Sequence, residues 1–242
     1  MKPVASQAGI GDLAVDLARA SLSLARRFEA GGTLWCAAPS WPFHAHHLSV
    51  EFVHPVIMGN RALPAVAVPA GEDLVASLRA TVRAGDIVVA VAGADDPAVA
   101  AVMLRGDAWG IETVWIGAGP RPPAGAAHHV LWLDHLTLDG VEGLDASEQF
   151  VRVYHLLWEL VHICRRHPGL LKPDECTDEV CITCSDEGRP AEVVSVEGDE
   201  AVVRTAEGRE RIDTSFIDAP HPGDLVLVHA GSAIGALAGD HR

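Results

Sequence analysis

Apolar residues recur at helical spacing near the start of the chain. Between Asp12 and Ala30 the positions that share this spacing are Leu13, Leu17, Leu24 and Phe28. Steps of four and seven residues place them on one face of a helix, and the pair Gly31-Gly32 supplies its end. The pattern predicts an amphipathic helix that buries this face.

Short apolar runs then alternate with helix-length segments. The runs predict strands at residues 33–37, 65–68, 87–92, 113–116 and 130–133. The segments between and after them predict helices at residues 73–84, 97–109 and 147–166. Strands that alternate with helices form βαβ units, in which the strands pair in parallel. We therefore expect an α/β domain with a doubly wound parallel sheet.

The pattern changes after the last of these helices. His167-Pro168-Gly169 and the polar residues 172–175 favour turns, which indicates a linker. Beyond it, short apolar runs are separated by Gly, Asp and Pro turns, at residues 191–196, 201–204, 211–212 and 225–229. Such runs predict a small all-β barrel of the OB-like kind. The expected organisation is a first domain at 1–167, a linker at 168–180 and a second domain at 181–242.

Net charge and the absence of long apolar runs disfavour some classes of function. The chain of 242 residues carries a formal charge of −15, which disfavours binding to nucleic acid and to anionic membrane surfaces. Its start lacks an apolar signal region, and no apolar run approaches the roughly 18 residues that cross a bilayer. We expect a cytoplasmic protein without a membrane segment.

Three of the five cysteines, Cys176, Cys181 and Cys184, lie within nine residues. In a chain without a secretory signal, this clustering favours metal or thiolate chemistry over disulfides. The spacing also fits a plant-type [2Fe–2S] site, although no cysteine follows Cys184 as a fourth ligand. A zinc site with His221 is a further alternative, but it lacks a second pair of ligands.

The segment from Pro222 to Ile234 reads PGDLVLVHAGSAI and resembles the GDxVLVHxGxAI signature of HupF/HypC hydrogenase-maturation chaperones. The resemblance extends over residues 181–237. It implies that Cys181 and His229 are the iron-associated residues. The cysteine cluster itself suggests Cys184 and Cys176 as accessory thiols. It also implies a transient Fe(CN)2CO group, a HypD-type partner and a [NiFe]-hydrogenase large subunit. Chaperones of this family usually begin at the cysteine, whereas Cys181 is internal here.

Residues 36–51, 55–68, 85–89 and 155–160 resemble the sugar isomerase (SIS) fold, in its phosphoheptose isomerase branch. The resemblance covers about residues 10–166 and implies a homo-oligomer formed through helices such as the first. The two loops that bind phosphate in that family have a different sequence in this chain. The turn Cys36 to Pro42 keeps only Ser40, and the loop after the third strand has Asp95 and Asp96 where an anion would bind.

A second group of family residues is retained in part. His47 and Glu51 are four residues apart and share a helical face, and His155 matches a histidine of the last family helix. The resemblance implies metal ligands and acid–base groups at these positions, with Zn²⁺ as the candidate ion. Ser147 replaces the family's glutamine ligand. The alternative is that His47 and His155 are ordinary helix-surface or interface histidines, together with His44, His46, His54 and His162.

These observations favour an accessory chaperone of [NiFe]-hydrogenase maturation, in which the SIS domain acts as a scaffold and is not an enzyme. The first alternative is an active sugar-phosphate isomerase or sugar-phosphate-binding protein. The second is an iron–sulfur or zinc protein that uses the cysteine cluster.

Overall fold

The computed structural model describes residues 8–55, 59–71, 73–133, 146–171 and 188–237. They form two compact units. The first takes its described residues from Met1–Thr81, Gly85–Leu104 and Glu112–Leu171; the second takes them from Val82–Ala84, Arg105–Ile111 and Lys172–Arg242. The predicted linker begins as a 3-10 helix at Pro168–Leu171, and its remainder lies outside the described residues. Within the described ranges, no helix is both long and apolar enough to cross a membrane.

The first unit is built on a five-stranded sheet in the order β2-β1-β3-β4-β5. All the strand pairs are parallel, which confirms the predicted sheet. The strands are β1 Leu34–Ala37, β2 Ala65–Ala67, β3 Ile87–Val91, β4 Glu112–Ala118 and β5 His129–Leu133. All five residues of β3 are buried, as expected for a central strand that is covered on both faces.

The described residues contain six α-helices, of which the fifth belongs to the second unit. They are α1 Ala8–Glu29, α2 Pro42–Val53, α3 Leu74–Thr81, α4 Pro97–Met103, α5 Gly106–Trp109 and α6 Ala146–Arg166. The prediction of one helix over 97–109 is wrong, because α4 and α5 are separate. Pro42 begins α2 at a position where its missing N–H costs no hydrogen bond.

The apolar face of α1 lies in the core of the first unit, as its spacing predicts. Leu13, Leu17, Leu24 and Phe28 are all buried there. α1 packs against α6 and β5, and residues of α2 join the same cluster. The periodicity of α1 is therefore accounted for by packing within this chain.

The second unit contains a closed five-stranded barrel in the order β10-β8-β7-β6-β9. Its strands are β6 Arg189–Glu197, β7 Glu200–Thr205, β8 Gly208–Asp213, β9 Leu225–His229 and β10 Ser232–Leu237. The sequence did not predict β10, whose segment SAIGAL contains a single β-branched residue. Pairing with β9 and β8 gives this segment its structure.

A buried carboxylate connects the barrel to α5. Glu192 of β6 has 1% of its side chain exposed, and its Oε1 accepts a hydrogen bond of 2.9 Å from Arg105 Nε. Its Oε2 accepts a bond of 2.8 Å from Trp109 Nε1. Arg105 also donates to the carbonyl of Gly223. These contacts explain why residues 105–111 belong to the barrel unit although they are distant from it in sequence.

His162 is a buried histidine on α6. Its ring packs edge-on against Trp158, one helical turn earlier, with ring centroids 4.9 Å apart. Its Nε2 has no hydrogen-bond partner among the described residues. Burial, with a smaller effect of Arg165 and Arg166, lowers the pKa of His162 from 6.5 to about 4. The imidazole is therefore neutral near pH 7.

The lowered pKa of His162 predicts that the folded chain loses stability in acid. Between pH 6.5 and about 4 the unfolded chain binds a proton at this residue that the folded chain excludes, so stability falls as pH decreases. We expect this one group to lower the free energy of unfolding by up to about 3 kcal/mol across that window. His162→Phe should flatten the pH dependence measured by urea denaturation. The exposed His54→Gln is the matched control, and equal flattening by that control would contradict the assignment.

Candidate functional site

Helices α2 and α6 bring three of the predicted site residues together. His47 Nε2 lies 3.2 Å from Glu51 Oε1, one helical turn away on α2. His155 Nε2 of α6 lies 3.3 Å from His47 Nε2 and 3.4 Å from Glu51 Oε1. The three ligand atoms all lie within 4.8 Å of one another. Residues 108 positions apart in sequence therefore converge, and we call this set the His47 cluster.

Two further residues, Tyr154 and His44, support the His47 cluster by hydrogen bonds, and the sequence did not predict this role. The hydroxyl of Tyr154 is 2.9 Å from His47 Nδ1 and 3.3 Å from Nδ1 of the fully buried His44. Burial, followed by the charge of Glu51, raises the pKa of Tyr154, so the hydroxyl keeps its proton. It can then accept from one imidazole while it donates to the other. The only available signal was that the chain's single tyrosine directly precedes His155.

The His47 cluster is open to solvent on its outer side. The exposed fractions of its side chains are 37% for His47, 17% for Glu51 and 45% for His155. Two imidazole nitrogens and a carboxylate form a ligand set that suits Zn²⁺ and leaves coordination positions free. The hydrogen bond between Nδ1 of His47 and the Tyr154 hydroxyl, 2.9 Å long, is the kind of support that fixes the tautomer of a metal ligand.

The predicted anion loops lie at the carboxyl ends of β1 and β3, where doubly wound sheets bind ligands. Ser40 is exposed in the turn before α2. Asp96 caps α4, and its Oδ1 accepts hydrogen bonds of 3.1 Å from the amides of Ala98 and Val99. A carboxylate of the chain itself thus occupies the amide donors at the start of this helix.

The barrel presents His229 at the end of a tight hairpin. His229 ends β9 and pairs with Ser232, the first residue of β10. The two residues between them, Ala230 and Gly231, both have positive φ angles of 48° and 82°. A two-residue turn with this geometry matches the twist of antiparallel strands. The position of His229 is therefore fixed by backbone pairing on both sides of the turn.

The chain enters the barrel at the same end. Arg189, the first residue of β6, pairs with Val228, the neighbour of His229. The segment that carries the cysteines thus leads into β6 beside the His229 hairpin. Cys176, Cys181 and Cys184 themselves lie outside the described residues.

Comparison with known families identifies the second domain. Residues 188–241 match the sequence model of the HupF/HypC family. This match contains the whole barrel, including the hairpin of His229. No curated protein sequence gave a match to the chain.

Comparison with solved structures identifies the fold of the first domain. Phosphoheptose isomerase from Neisseria gonorrhoeae superposes with a TM-score of 0.50 at 15% identity, covering 64% of this chain and 89% of that one. The corresponding enzyme from Francisella tularensis gives a TM-score of 0.46 at 11% identity, covering 63% and 92%. We base the fold assignment on the first of these. The chain thus joins a domain with the fold of the phosphoheptose isomerases to a domain of the HupF/HypC family at residues 188–241.

Proposed function

We propose that this protein is an accessory chaperone of [NiFe]-hydrogenase maturation that carries or transfers the Fe(CN)2CO group. The observation that carries the proposal is the HupF/HypC match over residues 188–241, which includes the fixed hairpin of His229. The partners we propose are a HypD-type maturation protein and the hydrogenase large subunit. The iron group is cargo in this scheme, so the protein itself catalyses no reaction.

Cys181 and His229 are the residues we assign to the cargo. A thiolate is a soft, strongly donating ligand that suits iron carrying cyanide and carbonyl groups, and a neutral imidazole can ligate beside it. The strand register supports the pairing, because the chain that follows Cys181 enters β6 next to His229. In this scheme Cys184 and Cys176 are accessory thiols.

We expect Cys181→Ala to reduce hydrogenase maturation to background, because a methyl group cannot replace a thiolate ligand. His229→Ala should reduce maturation less. The readout is the infrared absorption of metal-bound cyanide and carbonyl on the intact protein purified with its partner, together with hydrogenase activity in cells.

Cys164 provides a matched control for this experiment. It is a half-buried thiol of α6 in the first unit, so Cys164→Ala should leave maturation unchanged. If Cys184→Ala or Cys176→Ala proves as damaging as Cys181→Ala, a multi-cysteine site replaces the single-thiolate assignment.

In this proposal the first domain is a scaffold that forms a homo-oligomer. Phe43 and Val50 of α2 are both about half exposed and flank His47 on the same helical stripe. Exposed apolar side chains on one stripe are suited to contact with a second copy. A scaffold of this kind would present several chaperone domains to the partner at once.

The first domain should not isomerise sugar phosphates. Asp96 occupies the amides that begin α4, and its charge would repel a phosphate group. We expect no conversion of sedoheptulose 7-phosphate by the intact chain, followed by nuclear magnetic resonance over hours. Turnover that disappears in Glu51→Gln would contradict this expectation and support the isomerase alternative.

A second candidate function is metal binding at the His47 cluster, which its geometry favours. We propose that His47 Nε2, His155 Nε2 and Glu51 hold one Zn²⁺, since three nitrogen and oxygen ligands already converge there. A bound zinc ion would supply a Lewis acid. Tyr154 would hold the His47 ring by accepting the Nδ1 proton while its own hydroxyl donates to His44.

We expect His155→Ala to lower the Zn²⁺ affinity of the intact chain strongly, because it removes one of three ligands. Tyr154→Phe should lower it by about 10–100-fold, the usual effect of losing a group that orients a metal ligand. Competition with a chromophoric chelator measures both. His128→Ala is the control, since that histidine contacts Thr113 and is not a member of the His47 cluster. Unchanged affinity in His155→Ala would exclude the cluster as the site.

A further inference from the structure

A pocket of about 340 Å³ lies beside the turn between β7 and β8. All its lining residues belong to the second unit, and its volume falls within the range of about 300–1,000 Å³ that is usual for small-molecule sites. Three arginines, Arg83, Arg204 and Arg209, line it, together with one acidic residue, Glu207. This is a local excess of positive charge in a chain whose formal charge is −15.

The guanidinium of Arg204 is held in place on two sides. Its NH2 donates a hydrogen bond of 3.0 Å to the carbonyl of Val82. Its Cζ lies 5.2 Å from the ring centroid of Trp109. Trp109 is itself fixed by its hydrogen bond to Glu192. A guanidinium positioned in this way loses little conformational freedom when it binds an anion.

Arg204 and Arg209 face each other directly across the strand pair. They are register partners in β7 and β8, so their side chains leave the same face of the ladder. Like charges in directly opposed positions repel each other. Glu207, the one acidic residue of the lining, makes an ion pair with Arg189 at 3.5 Å. An anion between the two guanidinium groups would be attracted by both.

We propose that this pocket binds a small phosphorylated molecule, with Arg204 and Arg209 as the phosphate ligands and Arg83 at its rim. Guanidinium groups match the oxygens of a phosphate in a two-point, charge-assisted geometry, and two of them suit the double charge of a phosphate group. The site is separate in residues and in chemistry from the His47 cluster and from the iron-associated residues. The barrel unit would then bind a small-molecule ligand in addition to its proposed iron cargo.

Titration calorimetry of the intact chain with pyrophosphate and with inorganic phosphate, at low ionic strength, tests the proposal. We expect pyrophosphate to bind, and Arg209→Gln to weaken binding at least tenfold. Arg211→Gln is the matched control: it removes the same charge from the same exposed strand face, two residues away and outside the pocket lining. It should reduce the affinity less than twofold.

Three outcomes would overturn the proposal. The first is the absence of binding heat with both probes. The second is an equal loss in Arg209→Gln and Arg211→Gln, which would show attraction by general surface charge. The third is tighter binding of citrate than of pyrophosphate, which would identify a carboxylate site. Since Arg209 is exposed, its variant should keep the wild-type thermal midpoint, so a loss of binding can be separated from a loss of fold.

Discussion

Glu192 is a buried carboxylate on β6, and a buried charge is stable only if it is paired and hydrogen-bonded. Arg105 and Trp109 provide that pairing from a segment more than 80 residues earlier in the chain. Removing one partner of such a buried pair typically costs about 3–5 kcal/mol. The barrel therefore depends on residues 105–109 to pair the buried charge of Glu192. The same interaction fixes Trp109, and through it the guanidinium of Arg204.

The first unit combines the fold of the phosphoheptose isomerases with strand ends that carry carboxylates of the chain itself. The parallel sheet, buried on both faces, needs only apolar residues at the right spacing, and those are present. Anion binding at the strand ends needs open amides, and the carboxylate of Asp96 takes those of α4. The His47 cluster needs rigid support, and the chain from His44 through Tyr154 to His47 supplies it. The fold and the His47 cluster are consistent with both parts of the proposed function.

Backbone pairing alone fixes the position of His229, the barrel residue that we propose to bind the iron cargo. The turn of Ala230 and Gly231 aligns β9 with β10, and β6 pairs on the other side of β9. His229 is thus held between two strand pairings, next to the point where the cysteine-bearing chain enters.

The sequence by itself determined the class of each unit, the five parallel strands, the buried face of α1 and the HupF/HypC signature, because these depend on local spacing and on residue type. It also named His47, Glu51 and His155 as a set, through resemblance. Tertiary structure alone revealed Tyr154 and His44 behind them, the strand β10, the division of residues 97–109 into two helices and the pairing of Glu192 with α5. Each of these depends on contacts between residues far apart in the chain. Local helix and strand propensities do not predict such contacts. The free energy that stabilises them is gained only when the distant segments pack together.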